Sequence, residues 1–171
     1  TGGWQVLLAE CGSLVAQVNS GAGGVKAGSV ARVTAIARLV AAVLKTNPEL
    51  GPKLAQLTDT LVGLVAKFCL VAAPPLQLLA AVTDSLASLA VKDPEKVMDR
   101  LAGTHLLPKC HPGDSSQLQP GVVGALLAGQ ETVSGEYPLL VSFLRLMSVC
   151  GQLPGARPSI TFILREVLPN Y

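Results

Sequence analysis

Aromatic residues are scarce in this sequence, with one Trp, two Tyr and three Phe among 171 residues. Strands draw on aromatic and β-branched side chains, whereas Leu, Ala and Val at helical spacing make packed rods, so the shortage points away from a β fold. Charge is scarce as well. Charged side chains make up 14% of the chain, and the 13 basic and 11 acidic residues are scattered along it. There is no basic run or stripe to neutralise a phosphate backbone, which removes direct nucleic-acid binding from the expected functions. The four cysteines, Cys11, Cys69, Cys110 and Cys150, form no close pair. Three of them fall inside apolar helical patterns, where a free thiol behaves as a small hydrophobe, and a reducing compartment fits this usage. Uninterrupted apolar runs are missing too: Arg32, Arg38, Lys67 and Pro74-Pro75 break every stretch short of the ~18 residues a membrane span needs. No transmembrane helix is therefore expected. The chain starts at Thr1 without a basic leader or signal-like core and stops at Tyr171 directly after an apolar helical pattern, so both ends are expected to be the boundaries of an excised piece.

What the chain does have is apolar side chains at a spacing of three and four. Half of its residues are hydrophobic, and a length of 171 residues is enough to bury roughly 70% of the unfolded surface in one core without a metal or disulfide. Trp4, Leu7, Leu8, Cys11, Leu14, Val15 and Val18 line one face of a first helix. Residues 19–28, centred on Gly21-Ala22-Gly23-Gly24, read as a flexible surface loop. Ser29 is the expected N-cap of a second helix with Val30, Val33, Ala37, Val40 and Leu44 inward and Ile36 and Val43 widening the stripe, and Asn47-Pro48 ends it. A third helix is expected from Pro52, with Leu54, Leu57, Leu61, Leu64 and Phe68 on its core face.

Pro74-Pro75 separates that helix from a fourth carrying Leu76, Leu79, Val82, Leu86 and Leu89. Asp93-Pro94-Glu95 places an N-cap, a first-turn proline and an acid at the positive end of a fifth helix, through Val97, Met98 and Leu101 to Gly103 as a C′ residue, with Leu106-Leu107 folding back. Residues 108–136 read as a long connector containing only a short helix over Val122, Val123, Leu126 and Leu127. Helical spacing resumes at Leu140, Phe143, Leu144 and Met147. Pro138 takes the first turn and Tyr137 is a hydrophobic staple to Val141. A last helix carries Ile160, Ile163, Leu164, Val167 and Leu168. The proline-marked joints at Asn47-Pro48 and Asp93-Pro94 recur at the period of HEAT and armadillo units, two helices to a unit. Such units bury their second face only against neighbours. The expected fold class is all-α, an α-solenoid of stacked helix pairs forming a single segment over residues 1–171.

Reactive chemistry is thin. His105, Cys110, His111 and Asp114 are the only concentrated polar set. They lack CxxC spacing, and adjacent Cys110 and His111 cannot easily face one ion, so a solvated loop is the favoured reading over a metal site. A Cys110–His105 nucleophile pair lacks an orienting group and rigid support. Gly21-Ala22-Gly23-Gly24 has no Lys-Ser/Thr after it and no strand before it, so it is a linker and not a phosphate loop. Trp4 and Phe68 are core aromatics. Catalytic, cofactor-binding and metal-ligating residues are each expected to be none, with no cofactor and no enzymatic activity.

Several stretches carry a resemblance. They are Leu89-Ala90-Val91-Lys92-Asp93-Pro94-Glu95-Lys96-Val97, Gly103-Thr104-His105-Leu106-Leu107-Pro108, Gly135-Glu136-Tyr137, Ser142-Phe143-Leu144-Arg145-Leu146, and above all Phe162-Ile163-Leu164-Arg165-Glu166-Val167-Leu168-Pro169-Asn170-Tyr171. In order and spacing they resemble the one-hundred-and-eighty-eight-kilodalton scaffold nucleoporin family of the nuclear pore's inner ring, over roughly residues 30–171. The chain departs from that pattern at Met98 and Lys109, where an aromatic is expected, in the connector after Cys110, and in a shortened turn after Met147. The resemblance implies a middle solenoid segment of a very long chain, working without catalysis in pore architecture and nucleocytoplasmic transport, at the nuclear pore complex in the nuclear envelope. It implies other inner-ring nucleoporins as partners, among them the linker nucleoporin through a part of the chain beyond these residues. Phenylalanine-glycine repeats or transport factors are the alternative, bound in grooves between helices as in a transport receptor. A piece cut from such an array exposes unmatched helix layers and is expected to self-associate through its ends.

Overall fold

Apolar stripes of this width can be buried only by helices packing on helices, and the chain does so in two rows. The computed structural model describes residues 3–20, 26–111 and 113–170. The Gly21–Gly24 linker and the side chains of Trp4, Leu7, Leu8 and Val18 lie outside them. The helices are α1 (Gly3–Asn19), α2 (Ala27–Thr46), α3 (Gly51–Leu54), α4 (Leu57–Phe68), α5 (Leu76–Ala90) and α6 (Pro94–Ala102). Past α6 come a hairpin of β1 (Lys109–His111) and β2 (Asp114–Gln119), then α7 (Gly121–Leu126), α8 (Thr132–Ser134), α9 (Pro138–Cys150) and α10 (Arg157–Phe162). Wider π turns over Leu127–Glu131 and Ile163–Val167 extend α7 and α10.

Helices α2 and α9 flank α5 to make one row; α1, α4 and α6 make the other, with α4 and α6 packed on α5 from beneath. α5 is buried almost all round: from Leu78 to Ala90 every residue except Asp84 is buried. Its small side chains let the neighbours approach closely. At the α2 crossing, buried Ser85 donates its Oγ hydrogen to the Ala37 carbonyl at 2.7 Å and lies 3.1 Å from its own helix's Ala81 carbonyl. Among the described residues, ion pairs that tie element to element at the surface include Arg32–Glu10, Lys92–Glu49, Arg100–Asp59 and Arg145–Asp84. Being exposed, each contributes at most about 1 kcal/mol, so apolar burial dominates.

Local expectations meet the structure unevenly. Asp93 caps α6 as expected, its Oδ1 accepting from the Lys96 amide at 3.1 Å. Helix α2 begins before Ser29. Lys26 is its N-cap, without a side-chain cap, because the Lys26 carbonyl already accepts from the Ser29 and Val30 amides. The helix expected from Pro52 to Phe68 is interrupted at Ala55-Gln56. There, i→i+3 bonds from Ala55 to Pro52 and from Thr58 to Ala55 tighten the chain, and Leu54 and Leu57 are both buried. Gly103 stands at the C-cap of α6 with a right-handed φ of −65°, not as a left-handed C′. α2 is long and apolar enough to cross a membrane by length and composition alone, which the sequence reading did not anticipate. Here its Val33, Ala37, Val40, Ala41 and Leu44 belong to the core.

Residues 108–136 contain more order than a connector. The hairpin pairs Lys109 with Gln119 and Cys110 with Leu118, then bulges before His111 meets Asp114. Its neck is closed where the Val122 and Val123 amides donate to the His105 and Leu106 carbonyls at 3.1 and 3.0 Å. Gly121 makes that closure possible. At φ 61°, a Cβ here would sit 2.5 Å from the Leu107 carbonyl oxygen, a position closed to other residues.

Glu131 then locks this excursion to the core. It is fully buried, and its two carboxylate oxygens accept from the amides of Leu139 and Leu140 at 2.6 and 2.8 Å. Those amides open α9, where the helix dipole favours negative charge. The N-terminus of α9 is thus capped from a neighbouring helix, across the Gly135 left-handed turn (φ 70°). Tyr137, the N-cap residue of α9, packs on the core, while Val141 stays 55% exposed.

Burial pushes the Glu131 carboxyl above its ordinary value of 4.5, and the two amide bonds offset only part of that rise. A raised folded-state pKa gives a stability contribution that is complete below the unfolded pKa and lost as pH rises through the folded one. Glu131→Ala leaves two buried amides unpaired beside a void and is expected to cost about 2–4 kcal/mol in urea unfolding, with Glu131→Gln costing less. The difference between wild type and Glu131→Gln, in which the other carboxylates cancel, should shrink as pH rises above 4.5. A difference flat from pH 4 to 8 would mean that the carboxyl is not perturbed.

Candidate functional site

The residues with reactive potential come together only in part. Cys110 is exposed on β1, His111 is exposed at its end, and Asp114 begins β2 opposite His111. His105 lies back at the neck with an exposed side chain. Among the described residues, no three His, Cys, Asp or Glu side chains form a group that could hold a metal ion. The other three thiols are buried. Desolvation pushes Cys11 up to about 11, with the nearby Glu10 charge adding to the rise, and it pushes Cys69 up to about 12 and Cys150 up to about 11. At neutral pH they are protonated packing groups, not nucleophiles.

The feature that could recognise something is a shape, not a constellation. Between the walls of α2 and α9 the chain leaves a trough whose floor is α5. Its first part, of about 570 Å³, is bounded by Ala31, Ala35 and Arg38 of α2 and by Pro75, Gln77 and Leu78. The second, of about 400 Å³, lies over Ala80, Ala81 and Asp84, with Tyr137, Val141 and Arg145 on the α9 side. A third of about 250 Å³ lies over Ala87, Ser88 and Val91, between Lys45 of α2 and Val149 of α9. The first two meet at Arg38 and Gln77, and the last two at Arg145, so the three lie in series along α5.

Alanine and serine on α5 cause the recess, because their side chains end near the backbone while α2 and α9 stand higher. Two polar bridges cross it: Arg38 donates to the Gln77 side-chain oxygen at 2.8 Å, and Arg145 donates to Asp84 at 2.6 Å. Reading the sequence for chemistry missed this surface. Its signal was the run of small residues among the leucines of Leu76–Ala90, which reads as core and does not show that one edge of the core stays open.

These observations define an all-α protein of two helix rows, whose distinguishing surface is a groove between helices. No protein-family model matches the chain. It is similar to Nucleoporin NUP188 of Xenopus tropicalis, with 36% identity over 153 residues, and to the NUP188 of Homo sapiens and of Mus musculus at 34% and 32% over 155 residues. Each match takes in 82% of this chain, and the chain spans about 9% of the length of the relatives it matches. The resemblance carried by the residue stretches is borne out: the chain is related to a stretch of the NUP188 nucleoporins.

The thiol environments set an expected labelling pattern. An excess of a thiol-specific probe at pH 7 should modify Cys110 alone in the folded chain and all four cysteines in denaturant, and Cys110→Ala should abolish the native signal. Rapid native labelling of a second thiol would show that the helix rows open on the timescale of the assay.

Proposed function

We propose that the chain is a structural, non-enzymatic scaffold segment of an inner-ring nucleoporin, its two rows of helices forming one stretch of an α-solenoid. The single observation that carries this reading is the similarity, over 82% of the chain, to a segment of Nucleoporin NUP188. The packing suits that role. Helices α2, α5 and α9 stack side by side over α1, α4 and α6, the arrangement in which each helix pair covers the apolar flank of the next and a long chain keeps a fixed curvature. A nucleoporin works at the nuclear pore complex in the nuclear envelope, and that is the location of this chain. Its partners are other pore components, and it serves nucleocytoplasmic transport by holding shape and spacing.

In cells, a scaffold must be intact to be built in, and once built in it must stay. The protein carrying Leu79→Asp and Leu86→Asp, which put two charges into the fully buried centre of α5, should lose its rim signal at the nuclear envelope, whereas Cys110→Ala should keep it. Photobleached wild-type rim signal should recover slowly, with the turnover of whole pores. Recovery as fast as that of a diffusing transport factor would sink the scaffold reading.

A further inference from the structure

The trough over α5 is bordered by one sign of charge. Helices α2 and α9 carry Arg32, Arg38, Lys45 and Arg145 and not one acidic residue. Arg32 is taken by Glu10 of α1. The only carboxylate on the trough's lining, Asp84, is taken by Arg145. Arg38 meets only the neutral Gln77, and among the described residues neither Arg38 nor Lys45 has an ion pair. Both are exposed on the same wall, two helical turns and about 10 Å apart.

Exposed apolar side chains stand among the polar ones on the lining. Val141 and Val91 are 55% and 57% exposed and stand on this lining, and the outward side of α2 is made largely of alanine, with Ala31, Ala35 and Ala42 all exposed. A membrane-grade hydropathy on a helix only one-third buried over its most apolar window says the same thing: α2 has apolar surface left over. The walls are helices packed on either side of α5, so their axes stand roughly 16–20 Å apart.

We propose that this trough is the docking site for an acidic amphipathic helix of a partner protein. Its apolar face lies against the exposed Val141 and Val91, and carboxylates two turns apart reach Arg38 and Lys45. Apolar contact supplies the affinity, and the unmatched cations select the sign of the partner and its register. The site does not depend on the scaffold role and would persist if that role failed.

The test uses the whole chain and a fluorescent helical peptide of about four turns, with Leu on one face and Glu at i and i+7, beside a copy in which Lys replaces Glu. Anisotropy titration should show saturable, salt-sensitive binding of the Glu peptide and at least tenfold weaker binding of the Lys peptide, about 1.4 kcal/mol or more. Arg38→Glu with Lys45→Glu, both at the surface and expected to leave the helical circular dichroism unchanged, should reverse that preference. Val141→Asp should weaken the Glu peptide without reversing it. Equal binding of the two peptides, indifference to the charge reversal, or stronger binding of a neutral phenylalanine-bearing peptide would each overturn the proposal. So would sedimentation showing that the trough is already filled by a second copy of the chain, released by the same charge reversal.

Discussion

A helix that is buried on nearly every side has little face to turn to water, and α5 is such a helix, with twelve of its fifteen residues buried. Its neighbours are placed by the need to cover it: α2 and α9 from the flanks, α4 and α6 from beneath. Covering a rod on this many sides requires close approach, and close approach requires small side chains at the crossings. Ala81, Ser85 and Ala87 answer that requirement. Ser85 adds a directional contact, a hydroxyl given to the Ala37 carbonyl, which fixes how α2 sits along α5 where apolar packing alone would permit sliding.

The same small residues have a second consequence. A floor of alanine and serine lies lower than walls built of arginine, valine and leucine, so packing that brings α2 and α9 close to α5 also opens the trough above it. Filling that trough with larger α5 side chains would push the flanking helices outward and lose the crossings. The groove is therefore a product of the row architecture and not an addition to it. Whether it is used is decided by its rim, where, among the described residues, Arg38 and Lys45 lack the carboxylate partners that Arg32, Lys92, Arg100 and Arg145 have found.

Much of the helical plan was legible in the sequence because it rests on local rules. Apolar residues at three and four mark α2, α4, α5 and α9, and Asp93-Pro94-Glu95 announces α6 within four residues. What could not be read depends on contacts between distant positions. Glu131 caps α9 from eight residues before Leu139, outside any capping-box window, and in sequence it is one more charged residue in a Gly-rich stretch. The β2 segment, Asp-Ser-Ser-Gln-Leu-Gln, has neither the alternation nor the branched side chains of a strand. It is held by the closure at Val122 and Val123 and by pairing with β1, not by propensity. The reactive residues were legible as a set, but only the fold could separate them, sending three thiols into the core and leaving Cys110 outside.

That separation bears on what kind of work the chain can do. Bond-making sites need polar groups held rigidly at a place where solvent is controlled, and here rigidity and polarity are in different places. The core is rigid, yet its buried hydroxyls, such as those of Thr34, Ser85 and Ser88, are given to helix carbonyls, while its thiols are held protonated by burial. The hairpin is polar and exposed, with its titratable side chains on a bulged two-stranded ribbon. The one carboxylate that is both buried and precisely hydrogen-bonded, Glu131, spends both oxygens on the α9 amides and has none left for a substrate. The described surface also offers the groove along α5, with Arg38 and Lys45 at its border.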